Sequence, residues 1–365
     1  MTMSGPVPLR ADLRTLSGYH SAQVDVAVRL NTNESPFAPP EAWLDELREA
    51  MGQIPFNRYP DRTALGLRSA LATHHGVLAG QVFCGTGSNE VLQCLLLAYG
   101  GAGRAVATFE PSYTLHRHIA EVTATSVVSV PRTADFVLDL DEVDELMERA
   151  RPTITFVCSP NNPTGRAEDL TTISHLLEVA PGLVVVDEAY GQFARTSALD
   201  LVREGASGTE RLVVVRTFSK TFSMAGLRLG YMVADPAVVA GCEVVVLPYN
   251  VGSVSQVAGR LALRHSEVVE QRVQQLVAER SRVEAALAAL AVTSWPSDAN
   301  FVLFRPDHKP ATKVWQGLLE HSVLIRDCSG WPGLHECLRV TIGTPYENDR
   351  FLEALTAVLG KDMAP

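Results

Sequence analysis

Short apolar runs alternate with helical spacings along most of this chain. Seven runs read as buried strands: Gln81–Cys84, Ala105–Phe109, Ser126–Val130, Thr153–Cys158, Leu183–Val186, Leu212–Val215 and Gly230–Val233. A continuous β-branched run, without polar alternation, marks a strand covered on both faces. Between them Asn89–Ala98, Leu140–Arg149 and Asp169–Val179 carry apolar residues at helical spacing. The alternation predicts an α/β protein whose mainly parallel central sheet is sandwiched by helices, running to about residue 250.

The flanks read differently. Val26–Leu30 predicts a short strand, and Asn31–Pro40 a loop rich in turn formers. Helices are expected over Glu41–Met51 and Thr63–His75, the second stopped by Gly76. After a helical tract over Ser255–Ala291, broken near His265–Ser266, comes a smaller α+β unit. Its strands would be Asn300–Phe304, Val323–Arg326 and Leu338–Ile342, and its helices Thr312–His321 and Glu347–Leu359. The expected division is an N-terminal arm over residues 1–45, a large cofactor-binding domain over 46–255 and a small domain over 256–365. The arm would associate with the small domain or a dimer interface. The cleft between the two domains is the default place for a site.

Composition narrows the class. With 365 residues, two domains are the natural expectation. A net charge of −10 argues against nucleic acid or an anionic membrane as a main partner. Apolar runs such as Val91–Tyr99 are too short to span a bilayer, and the N-terminus lacks the apolar core of a signal peptide. The six cysteines form no Cys-x-x-Cys pair, which fits reduced thiols in a cytoplasm. His116 and His118, two apart, do not share a helix face, so no metal site is expected there.

Four loops follow the C-terminal ends of expected strands, where open α/β sheets place ligands. Cys84–Glu90 offers glycines for close approach and a helix start at Ser88 and Asn89 for an anion, although such turns also occur without a ligand. Ser159–Gly165 sets Asn161 and Asn162 between prolines in a rigid turn. Val184–Tyr190 ends an apolar strand in Asp187, a carboxylate that needs a cationic partner at that depth. The competing magnesium–nucleotide reading of Asp187-Glu188 lacks the Gly-x-x-x-x-Gly-Lys-Ser/Thr loop it requires. Finally, Thr217–Tyr231 sets Lys220 among Thr217, Ser219 and Ser223, with Arg228 beyond. That ammonium either reaches solvent or is held as a Schiff base with an aldehyde cofactor. Together the loops ask for a phosphate at Thr217, Ser219, Arg228 and the Ser88–Asn89 helix start, a cationic ring nitrogen at Asp187 and an aldehyde at Lys220. Pyridoxal 5'-phosphate has all three.

Ten segments, in order and at matching spacing, resemble the fold-type I, class I/II aminotransferases, and most closely the histidinol-phosphate aminotransferases. They are Leu30–Glu34, Asn57–Pro60, Gly85–Glu90, Pro160–Gly165, Val186–Tyr190, Arg216–Lys220, Ala225–Tyr231, Ala299–Val302, Arg326–Asp327 and Leu338–Thr344. The resemblance implies that Lys220 forms the Schiff base and then carries the 1,3 proton transfer. It implies that Asp187 keeps the pyridine nitrogen protonated, while Asn162 and Tyr190 donate to the ring hydroxylate and Tyr113 stacks on the ring. Tyr59 would reach the phosphate of the other subunit's cofactor, which makes a homodimer with shared sites. Arg339 would grip the substrate α-carboxylate at two points. Arg326 would bind the distal anion, the phosphate of histidinol phosphate or the side-chain carboxylate of glutamate. Tyr19 would cover the substrate. The plainer readings are a cross-strand ion pair for Arg339 and an exposed strand end for Arg326.

Some positions depart from the family pattern. Asn89 stands where Asp is common, and Thr221 and Ser223 stand where Ala and Gly are usual. Arg326–Leu334 also resembles threonine-phosphate decarboxylases. The reaction expected is histidinol phosphate plus 2-oxoglutarate to imidazole acetol phosphate plus glutamate, in histidine biosynthesis. An aromatic amino acid aminotransferase and a phosphoamino-acid decarboxylase are the alternatives. A non-catalytic binding or regulatory protein is disfavoured, since lysine, aspartate and both arginines are all present.

Overall fold

The computed structural model describes residues 7–14, 16–18 and 22–360. Among these residues twelve strands form: β1 Val28–Leu30, β2 Val82–Gly85, β3 Ala105–Glu110, β4 Ser126–Pro131, β5 Ile154–Cys158, β6 Leu183–Asp187, β7 Leu212–Thr217, β8 Gly230–Val233, β9 Val292–Ser294, β10 Phe301–Pro306, β11 Val323–Asp327 and β12 Leu338–Thr341. They make a seven-stranded sheet, β2-β8-β7-β6-β5-β3-β4, and a five-stranded sheet, β1-β11-β12-β10-β9.

In the larger sheet β3 to β7 pair in parallel, and β8 runs antiparallel to both β7 and β2. The central strands β5, β6 and β7 are buried along their whole length. Their side chains divide between two apolar clusters, one on each face: Val184, Val186, Leu212 and Val214 in one, Val185, Val213 and Val215 in the other. The uninterrupted valine runs therefore reflect helices on both faces. One of these, Ser88–Tyr99, starts three residues after β2 and brings its positive end to the C-terminal edge of the sheet.

All seven expected strands of the large sheet form, within two residues of their expected ends. Two features lay outside the pattern. β8 is antiparallel, and β9 is too short and too weakly apolar to stand out. The long C-terminal tract breaks as expected, into Ser253–Ala262, a 3₁₀ turn at Leu263–His265 and Ser266–Leu287. β1 pairs in parallel with β11, which fastens the start of the chain to the smaller sheet. Among the described residues no helix is long and apolar enough to cross a membrane. All six cysteines are buried free thiols.

One close approach shapes the site. β8 begins at Gly230, directly under the start of helix Ser88–Tyr99, where an added Cβ would lie 2.2 Å from the Ser88 nitrogen and 2.4 Å from the Gly87 carbonyl carbon. Backbone cannot yield as a side chain does. Gly230→Ala should therefore push that helix start away and cost about 2 kcal/mol or more in a urea melt. Gly80→Ala, in open space, should leave the midpoint almost unmoved.

Candidate active site

A cleft of about 370 Å³ opens at the C-terminal edge of the large sheet, roofed by the smaller sheet and by residues 32–34. One end is a cradle of donors. The Thr217 hydroxyl donates to Ser219 Oγ at 3.0 Å, and Arg228 Nη1 donates to the same oxygen at 3.4 Å. The start of helix Ser88–Tyr99 faces them, reached through Gly87 at φ +78°. Hydroxyls, a guanidinium and a helix N-terminus on one small volume are the chemistry of a phosphate site. Gly87 and Gly230 keep it open, because an added Cβ at Gly87 would sit 2.7 Å from Arg228 Nη2.

The middle of the cleft is a slot for a flat ring. Asp187 is 1% exposed; its Oδ1 accepts from the Ala189 N–H at 3.1 Å, and its Oδ2 faces His116 Nε2 at 3.0 Å. His116 is stacked on Phe156, centroids 4.7 Å apart, with Tyr113 edge-on at 5.4 Å. The Tyr113 hydroxyl donates to Asn89 Oδ1 at 3.3 Å. Sequence reasoning considered His116 only as a metal ligand and missed this contact. The signal was there: His116, Ile119 and Ala120, spaced three and four apart, are the buried face of helix Thr114–Val122.

Lys220 lies three residues past the end of β7. Its ammonium donates to the Thr32 carbonyl at 3.1 Å and stands 5.6 Å from the Tyr190 ring centroid. Burial pulls its pKa from 10.5 down to about 8; repulsion from Arg339 and Arg228 adds to this, and Glu34 opposes it. The Tyr190 hydroxyl accepts from Asn33 Nδ2 at 2.9 Å. Burial pushes this phenol up to about 12.

Two arginines close the far end. Arg326 and Arg339 are directly opposed in the antiparallel β11–β12 pair, so their side chains emerge together. Arg339 donates through Nη1 to Asn162 Oδ1 and through Nη2 to the Asn31 carbonyl at 3.0 Å. Its buried Nε–H has no acceptor among the described residues. The Arg326 guanidinium packs 5.5 Å from the Trp331 ring centroid.

Ser88, Asn89, Tyr113, Asn162, Asp187, Tyr190, Thr217, Ser219, Lys220, Arg228, Arg326 and Arg339 all line this cleft. Tyr59 does not: it is 80% exposed and its ring stacks on Tyr249 at 4.4 Å. Tyr19 lies outside the described residues. Sequence reasoning assigned no role to Thr32, Asn33, Glu34 or Trp331, which also line the cleft.

Comparison with known proteins agrees with this arrangement. Residues 25–355 match the family model for aminotransferase class I and II. The chain is 45% identical to the histidinol-phosphate aminotransferase of Mycobacterium marinum, over 98% of this chain and 94% of that protein. It is 43% identical to the enzyme of the same name from Corynebacterium diphtheriae, over 96% of each. The crystal structure of the Sinorhizobium meliloti histidinol-phosphate aminotransferase, in complex with pyridoxal-5'-phosphate, superposes with a TM-score of 0.86 over 98% of this chain and 99% of that one, at 23% identity. That likeness speaks for the fold. With the family model spanning nearly its whole length, this chain belongs to the class I and II aminotransferases.

Proposed function

We propose that this protein transfers the amino group of histidinol phosphate to 2-oxoglutarate, giving imidazole acetol phosphate and glutamate, a step of histidine biosynthesis. The observation that carries the reading is a partly buried lysine of lowered pKa set between a phosphate cradle, a deep carboxylate and two opposed arginines. The near full-length similarity to enzymes of that name supports it.

The donor set fits pyridoxal 5'-phosphate. Thr217, Ser219, Arg228 and the Ser88–Asn89 helix start would hold its phosphate, Asp187 its ring nitrogen, and Asn162 and Tyr190 its ring oxygen, with Tyr113 against the ring. When bound, the cofactor supplies an aldehyde for the substrate amine and a ring that accepts the electron pair left on carbon. Asp187, held by Ala189 N–H and His116, presents a fixed carboxylate to a protonated nitrogen. Lys220 is the nucleophile and the base: at pH 7 about a tenth of an amine of pKa 8 is unprotonated, roughly three hundred times the fraction of an ordinary lysine. Its Nζ lifts the proton from the amine-bearing carbon of the substrate.

The arginine pair suits both substrates. Histidinol phosphate has no carboxylate and offers one dianionic phosphate; glutamate offers two carboxylates. Adjacent guanidinium groups can share the first or divide the second. Tyr19 would cover the substrate. We further propose a cytoplasmic homodimer. Tyr59 is exposed, and Phe56, Val244 and Leu247, in the same two chain segments as the Tyr59–Tyr249 stack, leave apolar surface bare. A second copy would cover them and receive Tyr59 at its phosphate cradle.

Borohydride treatment of cofactor-loaded protein should fix the pyridoxyl group on the peptide bearing Lys220, and Lys220→Ala should lower kcat more than about a thousandfold. Cofactor loading of the stripped protein should speed up as pH rises and level off above about 8. Arg339→Ala removes a repelling charge, so that midpoint should move upward; a midpoint near 10.5 would contradict the burial of the amine. In half-reactions, histidinol phosphate should outrun phenylalanine, tyrosine and threonine phosphate. Arg326→Ala should weaken phosphorylated substrates more than unphosphorylated aromatic ones, and equal losses would sink that role.

A further inference from the structure

Asn33 is 1% exposed and makes four hydrogen bonds whose directions can be worked out. Its backbone N–H donates to Thr341 Oγ1 at 3.0 Å, so that hydroxyl is an acceptor there. The Thr341 proton is then available for Asn33 Oδ1, 2.9 Å away. With Oδ1 taken up by Thr341, Asn33 Nδ2 is the group that meets Tyr190 Oη at 2.9 Å, and an amide nitrogen can only donate. The flipped amide would set two N–H groups on one buried threonine oxygen, whose own proton would lack an acceptor in this network. Asn300 Nδ2, donating to the Asn33 carbonyl at 3.2 Å, fixes the backbone. Asn33 stands at φ +55°, a left-handed conformation that Asn and Asp tolerate best among side-chain-bearing residues.

We infer that Asn33 is a positioning residue: by donating to the Tyr190 oxygen from the side of the arm, it leaves the phenolic proton pointing into the cleft, toward the bound cofactor. This rests on the assignment of Tyr190 to the ring oxygen made above. The direction is set three groups away, by the Thr341 hydroxyl on β12 of the smaller sheet. The charged and titratable groups facing Tyr190 are Arg339 from β12, Asp187 from β6, Cys158 from β5 and Lys220. None of these makes a hydrogen bond to the Tyr190 hydroxyl among the described residues, where Asn33 Nδ2 is its donor.

Asn33→Asp tests the direction while keeping size and backbone preference. A carboxylate can only accept, so it would draw the Tyr190 proton out of the cleft. A donor to the ring oxygen favours the unprotonated, more anionic form of the bound chromophore, so losing it raises the pH midpoint of the visible absorption band. Asn33→Asp should raise that midpoint by about one pH unit, and Tyr190→Phe should raise it as well. Thr341→Val should raise it too, and Thr341→Ser should not; this pair gives the same reading if Asn33→Asp does not fold. A midpoint moved by Tyr190→Phe but by neither Asn33→Asp nor Thr341→Val overturns the inference alone. A midpoint unmoved by Tyr190→Phe overturns the assignment of Tyr190 and the inference with it.

Discussion

The cleft is organised around one constraint: an amine has been taken out of water and set beside two guanidinium groups. Among the described residues Lys220 has one hydrogen-bond acceptor, the Thr32 carbonyl, and that acceptor belongs to the N-terminal segment. The rest of that segment follows suit. Asn31, Thr32 and Asn33 turn three successive carbonyls to three donors, Arg339, Lys220 and Asn300. An extended strand would point alternate carbonyls in opposite directions, and the left-handed turn at Asn33 breaks that alternation. β1 lies in the smaller sheet and Lys220 follows β7 of the larger one. The same few residues therefore close the cleft and tie the two sheets together.

The other side of the site is held by a second buried charge pair. Glu188 follows Asp187, and Arg216 is the penultimate residue of β7; Arg216 donates to Glu188 Oε2 through Nε at 3.0 Å and Nη2 at 2.7 Å. The Ser197 hydroxyl and the Ala198 N–H fill the remaining lone pairs of that carboxylate. Such a pair adds little net stability, yet losing one partner strands the other charge, at a cost of about 3–5 kcal/mol. Its effect is geometric: it locks the ends of β6 and β7 side by side. Asp187 and Lys220 leave from those ends, so their separation is set by a pair that does not line the cleft.

Much of this was legible in the sequence, for identifiable reasons. Strands buried on both faces announce themselves, because nothing polar survives in Leu212–Val215 or Leu183–Val186. The cleft residues on loops after those strands were legible because sheet topology brings such loops together whatever their spacing. What escaped was pairing across long separations. That β1 would join β11 rather than the large sheet depends on a partner 295 positions further along the chain, Val28 against Val323, and Val28 and Leu30 either side of Arg29 cannot specify it. The antiparallel sense of β8 leaves no mark on Gly230–Val233. His116 was hidden because one histidine on an amphipathic helix resembles any other until Asp187 is seen opposite it. Asn31–Glu34 read as a turn, since backbone carbonyls carry no side-chain signature.

Under the reaction proposed above, the arginine pair would let one cleft serve two unlike substrates. Histidinol phosphate concentrates its charge in one group, whereas 2-oxoglutarate spreads it over two, so a single guanidinium would match only part of the second. Arg326 and Arg339 differ in their state before substrate arrives. Arg326 packs its guanidinium over the Trp331 ring. Arg339 is spent on Asn162 and the Asn31 carbonyl, but its buried Nε–H lacks an acceptor among the described residues. A buried donor without an acceptor costs about 1–3 kcal/mol, which an incoming oxygen relieves. Because Arg339 also repels the Lys220 ammonium, an anion on Arg339 weakens that repulsion and raises the basicity of Lys220. An anion held by Arg339 would thereby prepare the neighbouring lysine to take a proton.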